Sequence, residues 1–252
     1  MNRIEKVALI REALKTGNSS IGSWMQIPSP SVAEIMGQAG FDWVAVDLEH
    51  GSVDISQLPD LFRALELGGT LPLVRIAQGH PKDCKQALDA GAGGIIVPMV
   101  ESADQLTMVR NACRWPPSGS RGVGFSRANL FGKNFEVYSK EAQSPLLVAM
   151  IEDIKAVDSL EEILKVDGLD AILVGPYDLS ASMGVIAQFE DQKFIDAMTR
   201  IRKLCKQFKI PFGMHVVAPE PEVLKEKIND GYQFIAYSID SVFITSVCRN
   251  PL

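Results

Sequence analysis

Short apolar runs alternate with amphipathic stretches along almost the whole chain. Eight runs of four to seven residues, several rich in Val and Ile and without polar alternation, are typical of parallel strands covered on both faces. These runs are Ser20–Met25, Trp43–Leu48, Leu71–Ile76, Gly94–Met99, Pro145–Ile151, Ala171–Val174, Phe212–Val216 and Phe234–Ser238. The stretches between them have helical periodicity: Met1–Lys15 before the first run, then Pro30–Gly40, Ile55–Gly68, Pro81–Gly91, Ala103–Cys113, Ile154–Val166, Asp191–Phe208 and Glu220–Gly231.

Eight strands that alternate with helices predict a (β/α)8 barrel formed by one domain over residues 1–252, and the 252-residue length fits that fold. An open doubly wound sheet is the structural alternative. The eightfold count and the lack of a glycine-rich first turn favour the barrel. The segment Trp115–Ser144 is the longest irregular stretch, and it is a candidate lid.

Composition excludes several classes of protein. The formal net charge of -6 makes sequence-independent nucleic-acid binding improbable. No stretch approaches the roughly 20 apolar residues of a membrane span, and the N-terminal stretch has no apolar core of a signal sequence. The four cysteines form no CxxC pair, which predicts reduced thiols in a cytoplasmic protein.

Charged residues follow the apolar runs at their C-terminal ends, which in a barrel surround the active site. Two acids and a histidine occur in the segment Asp47–Gly51. Arg75, Glu152, Asp178 and His215 follow later strands. Each of these groups alone also fits a structural role, as a helix cap, a core histidine or an ion pair, and Asp153 is best interpreted as a cap. Their convergence at one end favours function, because burying so much charge is costly unless it is paired or binds a cation.

The residue types suggest one chemistry. Glu152 and Asp178 could bind a hard divalent cation such as Mg²⁺ or Mn²⁺, with a 2-oxo acid and water completing the coordination. Arg75 would stabilise the charge of an enolate, and His50 would transfer a proton. A Schiff-base aldolase needs a lysine at a strand end, and the sequence has none there.

Five motifs resemble those of a known family, the metal-dependent (class II) pyruvate aldolases that include 4-hydroxy-2-oxoheptanedioate aldolase and 2-dehydro-3-deoxyglucarate aldolase. The motifs, in chain order, are Asp42–Gly51, Pro72–Arg75, Val97–Val100, Ser120–Gly124 and Gly175–Ser180. The resemblance implies a barrel of the phosphoenolpyruvate/pyruvate type, a Mg²⁺, Mn²⁺ or Co²⁺ cofactor and a small 2-oxo acid substrate. It also implies a homo-oligomer, a hexamer in which a C-terminal helix is exchanged between neighbours.

The resemblance also implies roles for individual residues. His50 corresponds to the catalytic base, Asp89 to the acid that raises its basicity, and Arg75 to the group that stabilises the enolate oxygen. Glu152 and Asp178 correspond to the metal ligands. The backbone amides of Tyr177 and Asp178 would bind the pyruvate carboxylate.

Some positions depart from the family pattern. Met150 stands where sugar-acid members have glutamine, and Tyr177 stands where a small residue is common. Arg121 and Arg127 either contact the aldehyde half of the substrate or lie in solvent or at a subunit contact. The predicted function is reversible cleavage of a 4-hydroxy-2-oxo acid to pyruvate and an aldehyde. The alternatives are a coenzyme A thioester lyase of the citrate/malate type and a non-catalytic scaffold.

Overall fold

The computed structural model describes residues 2–251, in which eight parallel strands form a closed barrel in the order β1 to β8. The strands are β1 (Ser20–Met25), β2 (Trp43–Asp47), β3 (Leu71–Arg75), β4 (Gly94–Val97), β5 (Leu146–Ile151), β6 (Ala171–Val174), β7 (Phe212–Val216) and β8 (Phe234–Ile239). The predicted (β/α)8 barrel is therefore confirmed. All eight predicted strands occur, with ends that differ by at most two residues.

Twelve α-helices are described in residues 2–251. They are α1 (Arg3–Lys15), α2 (Pro30–Gln38), α3 (Leu58–Gly68), α4 (Pro81–Ala90), α5 (Ala103–Cys113), α6 (Phe135–Glu141), α7 (Ile154–Asp158), α8 (Leu160–Ile163), α9 (Pro176–Ser182), α10 (Gln192–Phe208), α11 (Pro221–Asn229) and α12 (Asp240–Val247). Short 3₁₀ helices span Ile55–Gln57 and Arg127–Gly132. Met1, predicted to begin the first helix, lies outside the described residues. None of the helices described is long and apolar enough to cross a membrane.

Two predictions about local structure were wrong. The helix predicted over Ile154–Val166 is two short helices, α7 and α8, because Ser159 ends the first and begins the second. The segment Trp115–Ser144 is not irregular throughout, since it contains a 3₁₀ helix and α6. Arg3 donates hydrogen bonds to the Ala128 carbonyl and to Glu141, which ties this part of the segment to α1. Residues 127–141 are therefore not a lid over the strand ends.

Two layers of apolar side chains hold the barrel together. Inward-facing residues such as Trp43, Leu73 and Phe234 fill the interior, where the Trp43 and Phe234 rings stack with centroids 4.4 Å apart. Outward-facing residues pack against the surrounding helices. Helix α1 places Val7 and Leu14 in the interior cluster, so it closes the N-terminal end of the barrel. The other end, formed by the carboxyl ends of the strands, is called the mouth here.

Candidate active site

Arg75 and Asp47 form a buried ion pair at the base of the mouth. They are paired in register as the last residues of β3 and β2, and strand alternation turns both side chains inward. Arg75 Nε donates to Asp47 Oδ1 at 2.8 Å, and Arg75 Nη2 donates to Asp47 Oδ2 at 2.6 Å. Burial opposes ionisation of Asp47, but the bonds from Arg75 outweigh it and hold the pKa of this carboxyl below its ordinary value.

Other contacts fix this pair in place. Gln26, after β1, donates from Nε2 to Asp47 Oδ2 at 2.9 Å. The Arg75 guanidinium carbon lies 4.5 Å from the centroid of the Trp24 ring, a cation–π contact. Arg75 Nη1 is 3.3 Å from Glu49 Oε2. A guanidinium held by two carboxylates and a ring is oriented before any ligand arrives.

Glu152 is the buried carboxylate of the site. It follows β5, is 3% exposed, and accepts a hydrogen bond at Oε2 from the Met99 backbone amide at 2.9 Å. Met99 has a left-handed φ of 48°, a strained conformation that directs its N–H toward the carboxylate. Gly175 lies against the other oxygen, since a Cβ there would be 2.6 Å from Glu152 Oε1. Glycine is thus required at this position for the carboxylate to keep its orientation.

The charges around Glu152 are predominantly negative. The pKa of Glu152 is raised to about 7, mainly by burial and also by the negative charges of Glu49 and Asp178, against the opposing effects of the Met99 amide and Arg75. Burial likewise raises the pKa of Glu49, with contributions from Asp47 and Asp178. Four carboxylates therefore influence one another at the mouth, where Arg75 is already engaged by two of them. This donor set fits a hard divalent cation, which would relieve the repulsion.

The described residues contain no group of three or more His, Cys, Asp or Glu side chains arranged to hold a metal ion. Glu152 and Asp178 alone would leave most coordination positions to water and ligand oxygens. Asp178 is exposed in the first turn of α9, which begins at Pro176. Gly175 precedes this helix and has no side chain to cap it, so the first backbone amides of α9 are directed toward the mouth.

His50 and Asp89 are not brought together within one copy of the chain. The His50 side chain is 58% exposed, and its Nε2 lies 3.9 Å from Glu49 Oε2. Asp89 lies in the last turn of α4, near the N-terminal end of the barrel. Burial raises the pKa of the Asp89 carboxyl above its ordinary value, although the charges of Arg121 and Lys85 act in the opposite direction. Glu49 is thus the carboxylate beside His50 in this structure.

The remaining candidates have clear positions. Tyr177 is 50% exposed and packs edge-on against Phe189, with ring centroids 5.2 Å apart. Asp153 caps α7 by accepting from the Lys155 amide, as predicted. Arg121 is buried and donates to the Tyr138 hydroxyl, while Arg127 pairs with Glu66. Both arginines therefore have structural partners in this chain.

Sequence reasoning missed several residues of the site. Asp47 and Glu49 were noted as acids at a strand end, but neither was assigned a role. Gln26 and Trp24 were not singled out at all. The alternation of β1 and β2 was a usable signal for Trp24 and Asp47, because it places both residues on the inward face. No local signal identifies Gln26, since its role depends on the neighbouring strand.

Comparison with known proteins assigns the chain to a class. The family model described as HpcH/HpaI aldolase/citrate lyase matches residues 20–247. The chain therefore belongs to the HpcH/HpaI aldolase/citrate lyase family, which confirms the resemblance inferred from its motifs.

Two curated relatives and one solved structure are similar to the chain over nearly its whole length. The chain is 36% identical to a hydroxypyruvate/pyruvate aldolase of Roseobacter denitrificans, over 95% of this chain and 94% of the relative. It is also 36% identical to a 2-dehydro-3,6-dideoxy-6-sulfogluconate aldolase of Pseudomonas putida, over 95% and 93% of the two chains. A solved family member from Burkholderia cenocepacia superposes with a TM-score of 0.88 at 29% identity, covering 94% of this chain and 95% of that one. The prediction of a carbon–carbon lyase of the aldolase type is confirmed.

Proposed function

We propose that this chain is a divalent-metal-dependent aldolase that reversibly cleaves a 4-hydroxy-2-oxo acid into pyruvate, or a close 2-oxo acid, and an aldehyde. One observation supports this proposal above all. The negative charges of Glu49 and Asp178 act on the buried Glu152, and the only buried cation beside them, among the described residues, is the already paired Arg75. The aldolase names of the relatives agree with it.

Glu152 and Asp178 would hold the metal, which is Mg²⁺, Mn²⁺ or Co²⁺ in this proposal. When bound, the metal supplies Lewis-acid polarisation of the 2-oxo group. The first amides of α9, at Tyr177 and Asp178, would bind the substrate carboxylate, because unpaired amides at a helix start favour anions.

The chain's own residues would move the charge and the proton. His50 removes the proton from the C4 hydroxyl, C4 becomes the aldehyde carbon, and the electron pair of the C3–C4 bond forms the C2–C3 double bond of the enolate. Arg75, fixed by Asp47, stabilises the enolate oxygen. A proton then returns to C3 and releases the 2-oxo acid.

Asp89 would assist His50 only across a contact between two copies of the chain, because the two residues lie toward opposite ends of one barrel. This role fits the homo-oligomer, a hexamer, that we propose for the single-domain chain in the cytoplasm. Native mass spectrometry of the purified protein measures the number of copies, and a monomer would remove Asp89 from the mechanism.

Deuterium exchange into the methyl group of pyruvate, followed by NMR, tests the proposed function. Chelated protein should not exchange, and adding Mg²⁺, Mn²⁺ or Co²⁺ should restore exchange. Glu152→Gln should lower the metal-dependent rate about a thousandfold, since several kcal/mol of stabilisation would be lost. Asp153→Asn, which alters only the neighbouring cap, is the matched control and should keep the rate. Folded protein that exchanges with none of these metals would favour a thioester lyase or a scaffold instead.

A further inference from the structure

The start of α12 lies against the end of β1, although the two elements come from opposite ends of the chain. Asp240, the first residue of α12, is 2% exposed. Its Oδ1 accepts a hydrogen bond from the Gln26 backbone amide at 3.0 Å, and its Oδ2 accepts one from the Ile27 amide at 2.9 Å. Because Gln26 and Ile27 directly follow β1, the buried carboxylate fixes the backbone where β1 ends at the mouth.

A bulge in β8 determines where Asp240 lies. The ladder between β1 and β8 advances from Gly22 to Trp24 in β1, while β8 advances by one residue more. Within this bulge Ser238 has a left-handed φ of 56°, a conformation that is strained for a residue with a side chain. A bulge bends its strand and redirects the side chains beyond it. The first helical residue beyond this one is Asp240, so local strain in β8 is spent on the contact with the end of β1.

The side chain of Gln26 extends this contact to the ion pair of the mouth. Its Oε1 accepts from Ser241 Oγ at 3.5 Å, and its Nε2 donates to Asp47 Oδ2 at 2.9 Å. Only the NH₂ group of an amide can donate to a carboxylate, so the two bonds together fix which way the amide faces. The same Asp47 oxygen accepts from Arg75 Nη2 at 2.6 Å. A Cβ at Gly51 would lie 3.3 Å from Gln26 Cα, so the turn after β2 also confines this residue.

We propose that Asp240, Ser241 and Gln26 are positioning residues for Arg75. Asp240 holds the backbone of Gln26, Ser241 holds its side-chain amide, and Gln26 in turn holds the Asp47 carboxylate that orients the guanidinium. The first turn of α12 thereby keeps Arg75 directed at the oxygen on which enolate charge develops. This inference rests on the proposed aldolase function, in which only Arg75 among these residues contacts the substrate.

The timing of the charge predicts which kinetic constant changes. In exchange, a C3–H bond of pyruvate breaks, its proton leaves to a base, and its electron pair forms the C2–C3 double bond. The π pair of the C2–O bond moves onto the oxygen that Arg75 faces, and a deuteron from the solvent later restores C3–D. Because that negative charge is absent from bound pyruvate, displacing Arg75 should lower kcat and leave KM nearly unchanged.

Exchange of pyruvate in D₂O by the metal-loaded protein gives the first test. Gln26→Met keeps the length of the side chain but removes both amide bonds, and it should lower kcat about tenfold with KM within about twofold. Asp240→Asn should act in the same direction, because its NH₂ group cannot accept a backbone amide. Asp42→Asn is the matched control and should keep kcat. Its carboxylate accepts from the Ile21 amide at 2.9 Å, at the opposite end of β1.

A double-mutant cycle separates positioning from a general structural role. Ser241→Ala alone should lower kcat about threefold, since its hydroxyl acts only through the amide of Gln26. In the Gln26→Met background the same change should have no further effect on kcat, because the partner of the hydroxyl is gone. Losses of kcat that multiply in the double variant would show that Ser241 does not act through Gln26.

A second measurement needs neither turnover nor metal. The ¹H–¹⁵N signal of Arg75 Nε, which donates to Asp47 Oδ1 at 2.8 Å, is recorded in the chelated protein. Gln26→Met and Asp240→Asn should shift this signal and speed the exchange of its proton with water, and Asp42→Asn should do neither. If Asp240→Asn does not fold, Gln26→Met and Ser241→Ala carry the same test.

The outcomes separate the two proposals. Exchange by wild type, together with an unchanged kcat and an unchanged Arg75 signal in folded Gln26→Met, would overturn this inference while the aldolase stands. An absence of exchange in folded, metal-loaded wild type would overturn the aldolase, even where the variants shift the Arg75 signal.

Discussion

The two ends of the barrel differ in how their charged groups are paired. At the N-terminal end, Leu14 of α1 is 4% exposed among apolar neighbours, and Arg11 pairs with Asp170 at 2.6 Å. At the mouth, the carboxylates of Glu49 and Asp178 repel that of Glu152, and Arg75 is the cation that opposes them. The same eight strands support both arrangements. The difference shows that the closed end pairs its charges within the chain, while the mouth keeps carboxylates whose repulsion a bound cation would relieve.

The largest expected effect on stability concerns the ion pair of the mouth. Asp47→Ala leaves Arg75 buried beside Glu49 alone, and we expect a loss of about 3–5 kcal/mol in the free energy of unfolding. Asp170→Ala removes a carboxylate from the half-buried pair at the other end and should cost about 1–2 kcal/mol. Urea unfolding measures both losses. Equal losses would contradict the contrast drawn between the two ends.

A smaller effect tests the closed end directly. Leu14→Ala removes a buried side chain from the base of the interior and should destabilise the protein by about 2–3 kcal/mol. The rate of pyruvate exchange per folded molecule should not change. Leu9, on the same helix, is 56% exposed, so Leu9→Ala is the control. Its free energy of unfolding should stay within about 0.5 kcal/mol of wild type. A loss of exchange in folded Leu14→Ala would show that the two ends are coupled.

The smallest expected effect is the pH dependence of the free energy of unfolding that arises from Glu152 at the mouth. The pKa of Glu152, about 7 in the folded chain, is above its ordinary value of 4.5, so the folded state binds the proton more tightly than the unfolded state. Stability of the chelated protein should therefore fall as pH rises from 5.5 to 7.5, by about 1–2 kcal/mol from this group. Glu152→Gln should remove that part of the pH dependence. Identical pH profiles for the two proteins would show that Glu152 is already ionised at the lower pH.

The fold was predictable from the sequence because parallel strands buried on both faces leave uninterrupted apolar runs. Periodicity did not indicate the helices α6, α9 and α12, and the family resemblance alone implied a helix start at Tyr177 and Asp178 and a C-terminal helix. Helix α6 lies in a segment rich in turn-forming residues. Helices α9 and α12 follow directly after strands, so no linking segment marks where they begin. The break at Ser159 was missed because the periodicity continues across it.

The site was partly predictable for a different reason. Strand alternation and the position of strand ends indicate Arg75 and Glu152 as groups of the mouth, and the structure places them there. Contacts between distant parts of the chain have no sequence signal. Gln26 beside Asp47, Met99 beside Glu152 and Gly175 beneath Glu152 depend on which strands become neighbours.

Helix α1, which closes the N-terminal end of the barrel, also bears on the order in which substrates bind and products leave. Because apolar side chains fill the interior and α1 covers its N-terminal end, the residues that the structure describes leave the mouth as the route to Arg75. In the proposed function, the 2-oxo acid half lies deepest, against Arg75 and Trp24, and the aldehyde half lies nearer the solvent. The aldehyde must then depart first and the 2-oxo acid last, and synthesis must run in the reverse sequence. For the proposed function we therefore expect an ordered kinetic mechanism, with the 2-oxo acid as the first substrate bound.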